Sequence, residues 1–147
     1  MSAQARTGVA VGDTMTELVR VVTQDQIAAY AEASGDHNPI HVDEAFAQAV
    51  GLQGTIAHGL LDMGILAEAV SRWAGGPEQL AALSVRFSKP LYPGDTITCT
   101  GTVVAVDQEK AIATLELEAV SSRGDRVLTN GRAEVRLNAQ RSSTDGT

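Results

Sequence analysis

The chain contains a single cysteine, Cys99, so no disulfide can form within it, and this usage fits a reducing compartment. It is poor in basic side chains. Against 18 Asp and Glu stand 11 Lys and Arg, for a net charge of -7, whereas a domain that binds nucleic acid is ordinarily basic. The acidic balance does not exclude an anionic substrate or cofactor, which a few local basic groups can hold. A long hydrophobic run is also missing. The longest, around Leu60 to Val70, is interrupted by Asp62 and Glu68 and is too short to span a bilayer. Met1 to Gly12 is polar and small, with no apolar signal core. These absences point to a cytoplasmic protein with neither nucleic-acid nor membrane partners.

What is present suffices for one compact domain. The chain has 147 residues, 44 % of them hydrophobic, with no repeat and no interior linker. Core patterning runs over residues 9–137, and the stretches 1–8 and 138–147 read as flexible tails. Residues 14–22 alternate as a short strand. Thr23 suits a helix N-cap, followed by a helix over 24–33 that turns Ile27, Ala28 and Ala31 inward. A second helix spans 43–50, capped by Asp43 and ended by Gly51. A third, from about Gly59 to Ala74, is apolar nearly all round and so belongs in the interior, with Glu68 and Arg72 pairing where it meets water. Gly75-Gly76-Pro77 ends it. The remainder reads as strands over 80–89, 96–106, 111–121 and 127–137, joined by turns at Pro93-Gly94-Asp95, at 107–110 and at 123–125. Leu115 and Leu117 alternate with Glu116 and Glu118, the pattern of a sheet buried on one face. The class is α+β: a curved antiparallel sheet wrapped around a long central helix.

Two segments carry candidate chemistry. Ser34-Gly35-Asp36-His37-Asn38-Pro39-Ile40-His41 sets a carboxylate and an imidazole five residues apart, and Gly35 and Pro39 bend the backbone, so a loop is expected. Ala57-His58-Gly59 then opens the apolar helix. A carboxylate, an imidazole and a free helix N-terminus are the parts of acid–base chemistry beside a polarised carbonyl. By residue chemistry alone a plain turn is the stronger reading, with Asp36 as an Asx-turn acceptor and His41 as a surface histidine. Asn38 braces the loop in either case. His37, His41, Asp43 and Glu44 suggest a metal site, but Pro39 removes the i,i+4 helical face, so no metal is expected. His58 reads as a hydrogen-bonder from loop to helix. Asp62 suits the positive end of its helix, or else lies near a pocket mouth. Cys99 reads as packing. Arg86 and Lys89 are the basic candidates for phosphate contacts, with a solvated strand face as the alternative.

The order of elements and the motifs resemble the hot-dog fold in its MaoC-like branch, the R-specific enoyl-CoA hydratases and (3R)-hydroxyacyl-thioester dehydratases. Ser34 to His41 matches that family's hydratase motif at every fixed position. His58-Gly59 matches its His-Gly at the central helix, and Pro93-Gly94-Asp95 its turn. Ile56-Ala57-His58-Gly59, Met63-Gly64 and Val85-Arg86-Phe87 are similar to the B subunit of mycobacterial (3R)-hydroxyacyl-ACP dehydratases. The resemblance implies hydration of trans-2-enoyl thioesters, with Asp36 and His41 sharing one water and the Gly59 N–H holding the oxyanion. It implies Asn38, His58, Arg86 and Lys89 as substrate-binding residues. It further implies no cofactor beyond the CoA or ACP phosphopantetheine that carries the substrate, and a homodimer or a heterodimer with a related subunit. Dehydration on ACP is the alternative reaction. Thioester hydrolysis, for which Asp62 would be the carboxylate, and a non-catalytic partner subunit are weaker ones. Where some short-chain relatives carry Ser on the central helix, this chain has Ala67.

Overall fold

The computed structural model describes residues 5–138. Strand β1 (Leu18–Val21) leads into helix α1 (Gln24–Ser34), the short helices α2 (Pro39–Val42) and α3 (Glu44–Ala49), and the long helix α4 (Gly59–Ala74). A 3₁₀ turn over Pro77–Gln79 then passes the chain to β2 (Leu80–Phe87), β3 (Thr96–Asp107), β4 (Ile112–Ser121) and β5 (Arg126–Arg136). All pairings are antiparallel, in the order β1-β3-β4-β5-β2.

The sheet buries one face. Val103, Ala113, Leu115, Leu117, Ala119, Ala133 and Val135 turn inward, while Glu116 and Glu118 turn out. Into that concave face packs α4, against β2, β3 and β5, through Ile65, Leu66, Ala69, Val70 and Trp73. The helix is less uniformly buried than its composition predicts: Leu60 is 63 % exposed and Leu61 and Met63 are half-buried. Glu68 makes the expected pair with Arg72, and also a two-pronged one with Arg20 on β1 at 2.8 and 2.9 Å. This guanidinium holds the Glu68 carboxyl below its usual range.

Other expectations need correction. The first strand is shorter than 14–22, with Thr14 reduced to a lone bridge to Thr102. Ala28 faces solvent, because the turn of α1 buries only Ile27 and Ala31. Residues 5–8, read as part of a tail, include Arg6, which donates to the Trp73 carbonyl and lies over that indole. Asn138 donates to the Arg6 and Ala5 carbonyls. The rest of the tail assignment, 1–4 and 139–147, lies outside the described residues.

Candidate active site

The motif segment is held more tightly than a loop. Thr23 and Gln26 form a capping box at the head of α1, and Gly35 ends that helix in the left-handed region at φ 77°. After three residues outside any helix the chain enters α2, with Pro39 at its first position and the Asn38 side chain accepting from the Ile40 N–H at 3.2 Å. The expected loop over 34–41 is thus a helix end, a bend and one helical turn. Pro39 starts helix here instead of excluding it, because the first turn needs no N–H from that residue. That turn swings His41 inward, where it is 6 % exposed.

Asp36 sits on the bend. Its Oδ1 accepts from the Asn38 N–H at 3.2 Å, and its backbone carbonyl accepts from His58 Nε2 at 3.0 Å. His41 Nδ1 donates to the Ile56 carbonyl at 2.8 Å. A carbonyl only accepts, so each neutral ring carries its proton on the bonded nitrogen. His41 therefore presents a bare Nε2, and His58 a bare Nδ1. The two rings stack at 3.8 Å between centroids and 23° between planes, with Tyr30 tilted against His58 at 4.8 Å. One carboxylate oxygen of Asp36 and one ring nitrogen each of His41 and His58 lie within 4.8 Å of one another. A water can bridge groups at this separation, because two hydrogen bonds of about 2.8 Å at a tetrahedral angle span roughly 4.6 Å.

These groups lie in a cavity of about 460 Å³ whose apolar walls are Ile40, Leu52, Ile56, Leu60, Phe87 and Val127. Gly59 enters the same wall as the first residue of α4. His58, at the N-cap, makes no side-chain capping bond, so the helix presents uncapped N–H groups there. A Cβ on Gly59 would stand 2.9 Å from the Phe87 ring. Asp62, 3 % exposed, also lines the cavity, and burial pushes its carboxyl up to about 7. A larger depression of about 590 Å³ on the outer sheet face is lined by Thr100, Glu116, Glu118, Arg126 and Arg132. It is a solvated, charged surface remote from the histidines.

The structure thus brings together Asp36, His41, His58, Gly59 and Lys89. It does not bring in Asn38, whose side chain caps α2, nor Arg86, which is exposed on β2 and outside the lining. Ala67 is half-buried and outside it too, and the Asn38 N–H supplies the donor to Asp36. Cys99 is a buried packing residue, its thiol pushed up to about 12 by burial and then by the nearby Asp62 carboxylate. The supporting residues left no signal in the sequence. Gln24 donates to the His41 carbonyl at 3.0 Å and accepts from the Thr55 hydroxyl at 2.6 Å, while its place after an N-cap marks only a helix start.

The MaoC like domain model matches residues 7–123. This chain belongs to the MaoC-like family. It is 31 % identical to an (R)-specific enoyl-CoA hydratase of Rhodospirillum rubrum over 84 % of this chain and 85 % of the relative. With the mitochondrial 3-hydroxyacyl-[acyl-carrier-protein] dehydratase of Arabidopsis thaliana it shares 29 % over 90 % of this chain and 80 % of that protein. The structure of an (R)-hydratase from A. caviae, involved in PHA biosynthesis, superposes with a TM-score of 0.81 at 30 % identity, covering 89 % of this chain and 98 % of the other. The fold is the hot-dog fold, and the chain is an enzyme of the hydro-lyase class. Among the described residues no helix is long and apolar enough to cross a membrane.

Proposed function

We propose that this MaoC-like enzyme reversibly adds water, from one face, to trans-2-enoyl-CoA thioesters to give (3R)-hydroxyacyl thioesters. The observation that carries the reading is the Asp36 carboxyl within 4.8 Å of a ring nitrogen of His41, whose Nε2 the Ile56 bond leaves bare, beside the uncapped start of α4. In the reaction the pair carries one transferable proton between its two members. Water gives a proton to the member acting as base while its oxygen attacks C3. The other member delivers its proton to C2 on the same face. The pair again holds one proton, and no co-reactant is consumed. Negative charge builds on the thioester oxygen, where the Gly59 N–H and the helix dipole stabilise it. One such donor is worth about 3–4 kcal/mol. His41 is the better base for water, because the Ile56 carbonyl fixes its tautomer with Nε2 toward the cavity. Lys89, at the cavity rim, is the cation best placed for the carrier's phosphates.

The test is hydration of crotonyl-CoA and longer enoyl-CoAs, followed by loss of the conjugated absorbance. Asp36→Ala and His41→Ala are expected to lose 10²-fold or more in kcat, with melting temperatures near wild type. Unchanged turnover in both would defeat the assignment. Dehydration on an acyl carrier protein is the second reading, supported by the plant relative, and competition between CoA and ACP substrates separates the two. We also propose that the working form is a homodimer.

A further inference from the structure

Two buried polar atoms among the described residues lack a hydrogen-bond partner, His58 Nδ1 and Asp62 Oδ1. His58 is the N-cap of α4 and Asp62 stands four residues on, in its first turn, and both residues line the acyl cavity. The proton-transfer chemistry uses neither. His58 Nε2 is committed to the Asp36 carbonyl, so its Nδ1 can only accept. Elsewhere the buried face of α4 is Ile65, Leu66, Ala69, Val70 and Trp73, so a carboxyl at 62 departs from the pattern of the helix.

We propose that Asp62 and His58 Nδ1 form a polar subsite that recognises a hydroxyl group on the acyl chain, making the enzyme favour hydroxylated over plain alkyl 2-enoyl thioesters. This rests on the hydratase reading for the reacting end of the substrate. A hydroxyl can donate to Nδ1 while accepting from the carboxyl, which burial keeps protonated up to about 7. An alkyl chain leaves both atoms unpaired in an otherwise apolar wall. Sites that pair a substrate hydroxyl discriminate strongly against analogues lacking it, because their own polar groups are stranded. Asp62 is here a specificity-determining residue and not a proton donor to C2.

The probes are 2-hexenoyl-CoA and its 4-, 5- and 6-hydroxy counterparts for turnover, with the saturated acyl-CoAs for calorimetric binding. They are compared in wild type, Asp62→Asn and Asp62→Leu. In wild type at least one hydroxylated chain is expected to exceed the alkyl chain about tenfold or more in kcat/KM and in affinity. Asp62→Asn keeps that preference, since an amide still hydrogen-bonds a hydroxyl. Asp62→Leu loses it and handles the alkyl chain better. A wild type that prefers the alkyl chain over every hydroxylated one overturns the subsite, whether or not the leucine variant folds. A preference unchanged in Asp62→Leu also overturns it, and so does release of free CoA that Asp62→Asn abolishes, which would make this carboxyl a hydrolytic group. A binding preference that stands while no thioester is hydrated supports the subsite and counts against the hydratase reading.

Discussion

Asp62 links stability to pH with a definite sign. In the unfolded chain its carboxyl ionises at its ordinary 3.8, and in the fold burial holds it protonated to about 7. Between those limits the folded state binds the extra proton, so this residue's contribution is fully present below about pH 4. It is lost as pH rises toward 7, after which it is level. The cavity also holds Asp36, His41, His58 and Lys89, and Cys99 lies near on β3, so the readout is the difference between variants. Wild type is expected to lose on the order of a few kcal/mol relative to Asp62→Leu between pH 4 and 7. Parallel urea-melt curves for the two proteins would refute this. Gly59 is constrained from outside as well as by chemistry. Gly59→Ala drives a Cβ against Phe87, which lines the cavity mouth, and the expected result is a loss of about tenfold or more in kcat/KM with a small change in melting temperature. Turnover equal to wild type would show that neither the approach of the thioester nor the Phe87 ring needs that space.

At the scale of elements, α1 serves the site although none of its residues lines the cavity. Its first residue, Gln24, bridges the His41 carbonyl and the Thr55 hydroxyl, tying α2 to the connection that precedes α4. Gln24→Ala strands both partners, Thr55 at 7 % exposure, and lets α2 shift. The expected outcome is about a tenfold fall in kcat with KM little changed, and unaltered helical circular dichroism. A KM effect alone would place Gln24 in substrate binding instead. The capping residues Thr23, Asn38 and Asp43 explain why three short helices can follow one another here: each supplies a side-chain acceptor to the first turn after it.

The whole molecule determines what surface is left for a partner. The outer sheet face is charged and suits solvent. Among the described residues the free features include the β2 edge of the sheet and the apolar mouth of the cavity, where Leu60 is 63 % and Phe87 53 % exposed. Both suit a second copy meeting the first near the cavity. Light scattering coupled to size exclusion is expected to give the mass of two chains at micromolar concentration. The mass of one chain, with full turnover, would remove the dimer from the mechanism.

The linear sequence by itself determined the order of the longer elements, the bounds of α4, the antiparallel strands and the Asp36–His41 motif. Each is a local matter of period, capping residue or turn chemistry, readable from neighbours along the chain. It also bore the family signature, since that signature is a short run of contiguous residues. Only the tertiary structure decided which imidazole nitrogen is bare, because that depends on the Ile56 and Asp36 carbonyls brought from distant positions. It alone separated Lys89 from Arg86 and turned Asn38 from a ligand-binding candidate into a cap. It alone decided that Asp62, readable along the chain as a dipole partner or as a group near a pocket mouth, lines the cavity with its Oδ1 unpaired. Burial and pairing are properties of surfaces that meet in space, and no periodicity encodes which surfaces those are.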